Sequence, residues 1–186
     1  MKILAIADRP PTKSIIETIR QNEIDLVCTL GDLTHFDLYE LEHITHIPKI
    51  GVYGNHDSGN YFEPLGIINL HLRVFEFKGI KFGGFEGCVR YKDTPHAIMY
   101  TQEEAQKMLE SFKCVDVFIT HAPPYGVNDE PEELSHQGFK ALRKYINRCH
   151  PKYLLHGHTY PQNPIKELNQ TQIIYVHQDM IVELDF

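Results

Sequence analysis

Five short polar clusters in this chain could act together on a metal ion: Asp8, Gly31-Asp32, Gly54-Asn55-His56-Asp57, His121 and Gly157-His158. Imidazole nitrogen suits borderline cations, whereas carboxylate and amide oxygens suit harder ones. A mixed set of this kind points to a divalent first-row transition metal: Mn, Fe, Zn or Ni. Such an ion can acidify a bound water and neutralise phosphoryl oxygens. Gly31, Gly54 and Gly157 would let the chain turn sharply beside the next ligand without a Cβ clash. Taken singly, each signal is ordinary. A lone Asp after a strand is commonly a helix N-cap, and Gly-Asp and Gly-Asn are common turn residues. His35, His43, His46, His71, His96, His136, His150 and His177 read as surface or structural histidines. The signal lies in the ordered set, each member of which follows an apolar run.

The elements that must bring these clusters together can be read from the hydrophobic pattern. Strand-like runs cover residues 2–7, 25–30, 48–53, 115–120 and 152–155, each ending just before one of the clusters. Between them, helical spacing covers residues 12–22, 36–45, 101–112 and 135–149. Thr101 stands three residues before Glu104, as a capping box requires. Residues 70–77 and 80–85 flank Lys78-Gly79 and read as a hairpin. Residues 165–168, 172–176 and 180–184 read as antiparallel strands joined by polar turns. Alternating strands and helices predict a mainly parallel sheet, and the hairpins suggest a second sheet packed on it with helices outside. Ligands of open α/β sheets bind beyond the carboxyl ends of the strands, so all five clusters converge on one edge. The acidic loop at residues 129–133 reads as the most mobile segment.

Composition sets the outer bounds. The 186 residues, 42% hydrophobic and 23% charged, suit one α/β domain spanning 1–186. The net charge of −7, with scattered Lys and Arg, excludes the basic stripe that tight binding to long nucleic acid needs. Small phosphorylated ligands remain compatible, because a bound cation reverses the local field. The opening run MKILAIA resembles a strand, not a signal peptide. No apolar stretch approaches the ~20 residues that span a bilayer. Cys28, Cys88, Cys114 and Cys149 form no close pair, which predicts reduced thiols and a cytoplasmic location. Oligomeric state is not legible.

The ordered set resembles the calcineurin-like metallophosphoesterase family, whose pattern is DxH, GDxxD, GNH[DE], a lone His and GHxH. The matching stretches here are Asp8-Arg9-Pro10, Gly31-Asp32-Leu33-Thr34-His35, Gly54-Asn55-His56-Asp57, His121 and Gly157-His158-Thr159-Tyr160. The resemblance spans nearly the whole chain in order. It implies a four-layer α/β/β/α sandwich of two mixed β-sheets flanked by helices. It also implies that Asp32 bridges two metals, with Asp8 on the first and Asn55, His121 and His158 completing the second. His56 would stand beside the phosphate and assist the leaving group, while metal-activated water attacks phosphorus in line. Compact members without a capping domain suggest a phosphodiesterase acting on a small substrate, a nucleotide diester among the candidates.

Two departures strike the same metal. Pro10 replaces the His of DxH and has no ligating atom, and Tyr160 replaces the last His of GHxH. A phenol with an ordinary pKa of ~10 is a poor ligand. One ion is therefore expected, with the second weak or absent. Arg9 could supply the lost positive charge, since its fork matches phosphate oxygens. Recruitment of His35 or Tyr160 would instead keep two ions. The alternative from another class is a catalytically silent, metal-bound phospholigand sensor. Tyr125, in the loop after His121, is placed either to stack on a nucleobase or to pack under the acidic loop.

Overall fold

Runs such as Ile3–Ala7 are buried along their whole length, as expected of a strand covered on both faces. The computed structural model describes all residues, Met1–Phe186. In chain order it contains β1 (Lys2–Ala7), α1 (Ile15–Asn22), β2 (Leu26–Thr29), a 3-10 turn (Tyr39–His43), β3 (Lys49–Gly51), α2 (Phe62–Leu65) and β4 (Ile68–Asn69). There follow β5 (Val74–Phe77), β6 (Ile80–Phe85), β7 (Cys88–Val89), β8 (Met99–Tyr100), α3 (Gln102–Glu110) and β9 (Val117–Thr120). The chain finishes with α4 (Lys140–Cys149), β10 (Tyr153–His156), β11 (Glu167–Leu168), β12 (Thr171–Tyr175) and β13 (Gln178–Glu183).

One sheet has the order β13-β1-β2-β3-β4 and the other β11-β12-β10-β9-β6-β5. Both are mixed: β1, β2 and β3 run parallel, as do β6, β9, β10 and β12, while β13 and β5 are antiparallel to their neighbours. Alternate side chains sort into layers. Ile3, Ala5 and Ala7 of β1 meet Val117, Ile119 and Leu155 between the sheets. Leu4 and Ile6 face the other way, onto Ile15 and Ile19 of α1. Phe118 and Leu154 pack outward under Leu109 of α3 and Leu142 and Tyr145 of α4. The result is the expected four-layer α/β/β/α sandwich, with β7 and β8 as a small separate pair.

Several boundaries differ for identifiable reasons. Helix α1 starts at Ile15 because Ser14 caps it, its hydroxyl accepting the Glu17 N–H at 3.2 Å. The expected helix at 36–45 shrinks to a 3-10 turn, where Lys49 Nζ donates to the carbonyls of Leu41 (2.8 Å) and Ile44 (2.7 Å). Helix α4 begins at Lys140, because the Asp129 carboxylate folds the preceding loop by accepting from Gly126 and Gly138, both at 2.9 Å. The capping box of α3 forms as read.

The tail needs a larger correction. β11 and β12 do make a hairpin, but β12 runs parallel to β10, and β13 crosses to the other sheet to pair with β1. The thiol reading is also corrected. Cys114 and Cys149 form a disulfide with Cα atoms 5.1 Å apart, because the approach to β9 passes the end of α4; Cys28 and Cys88 are free and buried. No helix is long and apolar enough to cross a membrane.

Candidate metal centre

Each polar cluster emerges where the fold predicts. Asp8 follows β1, Asp32 follows β2, Asn55 and His56 follow β3, His121 follows β9 and His158 follows β10. Main-chain hydrogen bonds stitch these loops across both sheets. Asp8 N–H donates to Gly31 O (3.1 Å) and Gly157 N–H to His121 O (3.0 Å). Two glycines are required by proximity. Gly31 has φ +91°, and a Cβ there would lie 2.1 Å from Gly54 N. At Gly54 the φ is ordinary, so the reason is space, not turning: a Cβ would lie 2.2 Å from Asp32 Oδ1. Asp8, Asp32 and His158 themselves have φ of 64°, 54° and 70°. Left-handed backbone at three side chains of one cluster is strain of the kind that concentrates at functional sites.

Ligand atoms of Asp32, His121 and His158 lie within 4.8 Å of one another. The fully buried His121 has Nε2 3.0 Å from Asn55 Oδ1 and 3.6 Å from Asp32 Oδ2. Its Nδ1 donates to Leu30 O at 2.7 Å, so Nε2 is the position facing the two oxygens, as a lone pair once His121 gives up its proton. His158 Nε2 likewise donates to Ser135 O at 2.8 Å, which leaves Nδ1 as its acceptor. Burial disfavours a proton on His121, but Asp32 and then Asp8 outweigh it and hold its pKa above the usual imidazole value. Burial, reinforced by His121, pushes that of His158 well below it. Converging lone pairs in a buried place demand a cation, and two imidazoles, an amide oxygen and a carboxylate fit a first-row divalent metal.

The other expected site residues fall around this cluster in different ways. The Asp8 side chain is only 2% exposed, and both its oxygens accept the His158 backbone N–H at 3.0 Å. Burial raises its pKa, with His121 opposing. His56 is exposed beside Asp32, whose Oδ1 accepts the His56 backbone N–H at 2.9 Å. Arg9 is exposed in the loop after Asp8. Tyr160 is 52% exposed and edge-on to the His177 ring at 5.4 Å. His35 pairs with Glu42 at 2.8 Å. Tyr125 is half-buried, with Lys140 Nζ over its ring at 5.2 Å.

Three supporting groups were not singled out from sequence. Buried Asp57 accepts from Gly54 N–H (2.7 Å), Leu33 N–H (2.8 Å), Asp32 N–H (3.1 Å) and the Tyr61 hydroxyl (3.0 Å), locking two ligand loops together. Burial pushes its carboxyl up to about 6, with the Gly54 N–H opposing. Its place directly after Gly-Asn-His was the available signal. Ser135 acts through a carbonyl, which any residue carries. His136, 5.8 Å from the His158 ring and bonded to Glu130 at 3.1 Å, lies in a loop with no strand signature.

A family model described as calcineurin-like phosphoesterase matches residues 1–162. No curated protein sequence matches the chain. Among solved structures, it is similar to TT1561 of Thermus thermophilus, with a TM-score of 0.62 and 17% identity, covering 95% of this chain and 89% of that one. A hypothetical protein from the same organism gives a TM-score of 0.55 at 17% identity, covering 94% and 75%. Identities this low speak for the shared fold alone.

Proposed function

This chain belongs to the calcineurin-like phosphoesterase family, a class of metal-dependent phosphoesterases, and from that premise we propose that it hydrolyses small phosphodiesters at a one-metal centre. The observation that carries the proposal is the convergence of Asp32, Asn55 and His121 acceptor atoms, with His158 beside them, under an exposed His56. These four residues would hold the ion. When bound, a divalent metal acidifies water and neutralises phosphoryl oxygens.

The protein's own groups do the rest. The backbone tie from His56 to Asp32 keeps His56 next to a ligand carboxylate, which supports a role for its exposed imidazole as donor to a phosphoryl or leaving-group oxygen. Arg9 reaches a second phosphoryl oxygen and supplies charge that a second ion would otherwise bring. Asp8 is committed to the His158 N–H, so its first role is to set the His158 loop. With Pro10 and Tyr160 in place of imidazoles, this arrangement favours one strong ion over two.

Elemental analysis of protein purified without chelator, paired with bis-p-nitrophenyl phosphate hydrolysis across Mn, Zn, Fe and Ni, tests the proposal. We expect one ion per chain and metal-dependent turnover. His56→Ala should lower turnover by about 10²–10⁴-fold while retaining the metal. Two ions per chain would require a substitute ligand. Bound metal with no turnover on any diester would favour the phospholigand sensor, and failure to bind metal would refute both.

A further inference from the structure

The loops that carry Asp8 and Asp32 continue into the walls of a cavity of about 390 Å³, lined among others by Pro10, Pro11, Lys13, Phe36, Tyr39 and Glu40. Phe36 is 82% exposed and Tyr39 53%, with ring centroids 6.2 Å apart. Leaving a phenyl ring in water forfeits the stabilisation its burial would give.

Both walls are held firmly. The Asp37 carboxylate accepts from Thr34 N–H (2.8 Å) and its hydroxyl (2.7 Å), and His35 pairs with Glu42 at 2.8 Å. Glu40 joins the walls, accepting from the Ser14 hydroxyl (2.8 Å) and Ile16 N–H (2.9 Å). On the proline side, Gln178 Nε2 donates to Pro10 O at 3.0 Å and Thr12 bonds Asp179. The exposed ring is therefore presented by a braced loop, and such preorganisation favours binding.

Position and chemistry indicate the occupant. Pro10 is two residues from Asp8 and Phe36 four from Asp32. At ~3.3–3.6 Å per extended residue, the Phe36 Cα lies within about 14 Å of the Asp32 Cα. The volume falls in the range of small-ligand clefts. Two aromatic rings and two proline rings in one lining suit a flat, uncharged group. Asp37 and Glu40 beside Lys13 leave the phosphate to the metal centre and to Arg9, two and one residues from Pro11 and Pro10 on the Asp8 loop.

We propose that this cavity takes the nucleobase of a nucleotide whose phosphate occupies the metal centre, with Phe36 as the stacking platform. The inference rests on the phosphoesterase reading above and assigns base recognition to Phe36 instead of Tyr125. It is tested by calorimetric binding of adenosine 5′-monophosphate and ribose 5-phosphate, which share the phosphate and differ in the base, to the metal-loaded full chain. Phe36→Ala and Phe36→Leu serve as variants, and the ring's exposure means neither should disturb folding. The expected result is adenosine 5′-monophosphate binding at least about tenfold tighter than ribose 5-phosphate. Both variants should abolish that advantage while leaving ribose 5-phosphate affinity unchanged. Equal affinities in the wild type, or a preference that survives both variants, would overturn the inference alone. Failure of both probes to bind would overturn the placement of a nucleotide phosphate at the metal centre and this inference with it, while the turnover test above decides the phosphoesterase reading separately. A wild-type dimer that Phe36→Ala converts to monomer, with no base preference, would assign the ring to self-association and overturn it too.

Discussion

Gly54→Ala replaces one hydrogen with a methyl group and should nevertheless disable the metal centre. The added carbon would stand 2.2 Å from Asp32 Oδ1, 2.4 Å from Asp32 N and 2.7 Å from His121 Cε1. Favourable contact begins at about 3.5 Å, so Asp32 and the β3 loop must separate by more than about 1 Å. Rotation of the Asp32 side chain cannot relieve this, because one clash is with its backbone nitrogen, itself held by Asp57 at 3.1 Å. Overpacking of this kind costs about 1–3 kcal/mol of stability. The effect on metal should be larger in proportion, since ligand distances are tolerated only within about ±0.2 Å. A loss of at least about 100-fold in affinity follows, equivalent to about 2.8 kcal/mol. Competition against a chelator with a reporting chromophore, well below the melting temperature, separates affinity from stability. A Gly54→Ala protein that binds one ion within about threefold of the wild-type affinity would refute the placement of Asp32 and His121.

Other perturbations test separate parts of the argument. Asp57→Ala strips the acceptor from three backbone N–H groups and the Tyr61 hydroxyl, and should cost about 3 kcal/mol or more in urea denaturation; a loss below about 1 kcal/mol would mean the loops are held otherwise. Cys149→Ser, or a reductant, opens a cross-link with a sequence separation of 35. Chain entropy sets that loss at about 3.8 kcal/mol, and a scanning melt should fall by about 10 °C; an unchanged melt under reductant would show the thiols unpaired. His121 has a raised folded pKa, so its charged form stabilises the metal-free protein fully below about 6.5, and that contribution is lost as pH rises through the folded value. Metal must displace this proton, so affinity should drop by up to about tenfold per pH unit on acidification below that value. A flat affinity profile between weakly acidic and weakly alkaline buffer would contradict this.

What was legible in the sequence is what local pattern controls. Asp8, Asp32, Asn55, His121 and His158 each follow a run apolar enough to be a buried strand, and strand direction alone brings them to one edge. The start of α3 was legible from its local capping box at Thr101, whereas the equally local Ser14 cap of α1 was passed over among the polar residues before it. Other boundaries were illegible where a distant group decides the end. Lys49 claims carbonyls of the 3-10 turn, and Asp129 folds the residues before Lys140. The disulfide was illegible because only the fold brings Cys114 to Cys149. Asp57 and Ser135 were missed for a related reason. Ser135 contributes through a carbonyl that every residue type carries, and Asp57, although it sits in one of the polar clusters, works on backbone N–H groups that only the folded loops bring to it.

The pairing of β13 with β1, which joins Glu183 to Lys2, carries a consequence for how the protein is made. During synthesis β1 leaves the ribosome ahead of β2 to β12, and its partner on that side, β13, emerges after them. Until residues 178–183 emerge, β1 presents an open, apolar edge to other nascent chains, the usual seed of misassembly. Because the contact spans almost the whole sequence, it adds to contact order and slows closure. The loop after β1 waits as well, since Gln178 and Asp179 are what hold Pro10 and Thr12. Vectorial folding can thus complete the second sheet and its two helices first, and the ligand-bearing edge of the first sheet becomes the final piece to lock.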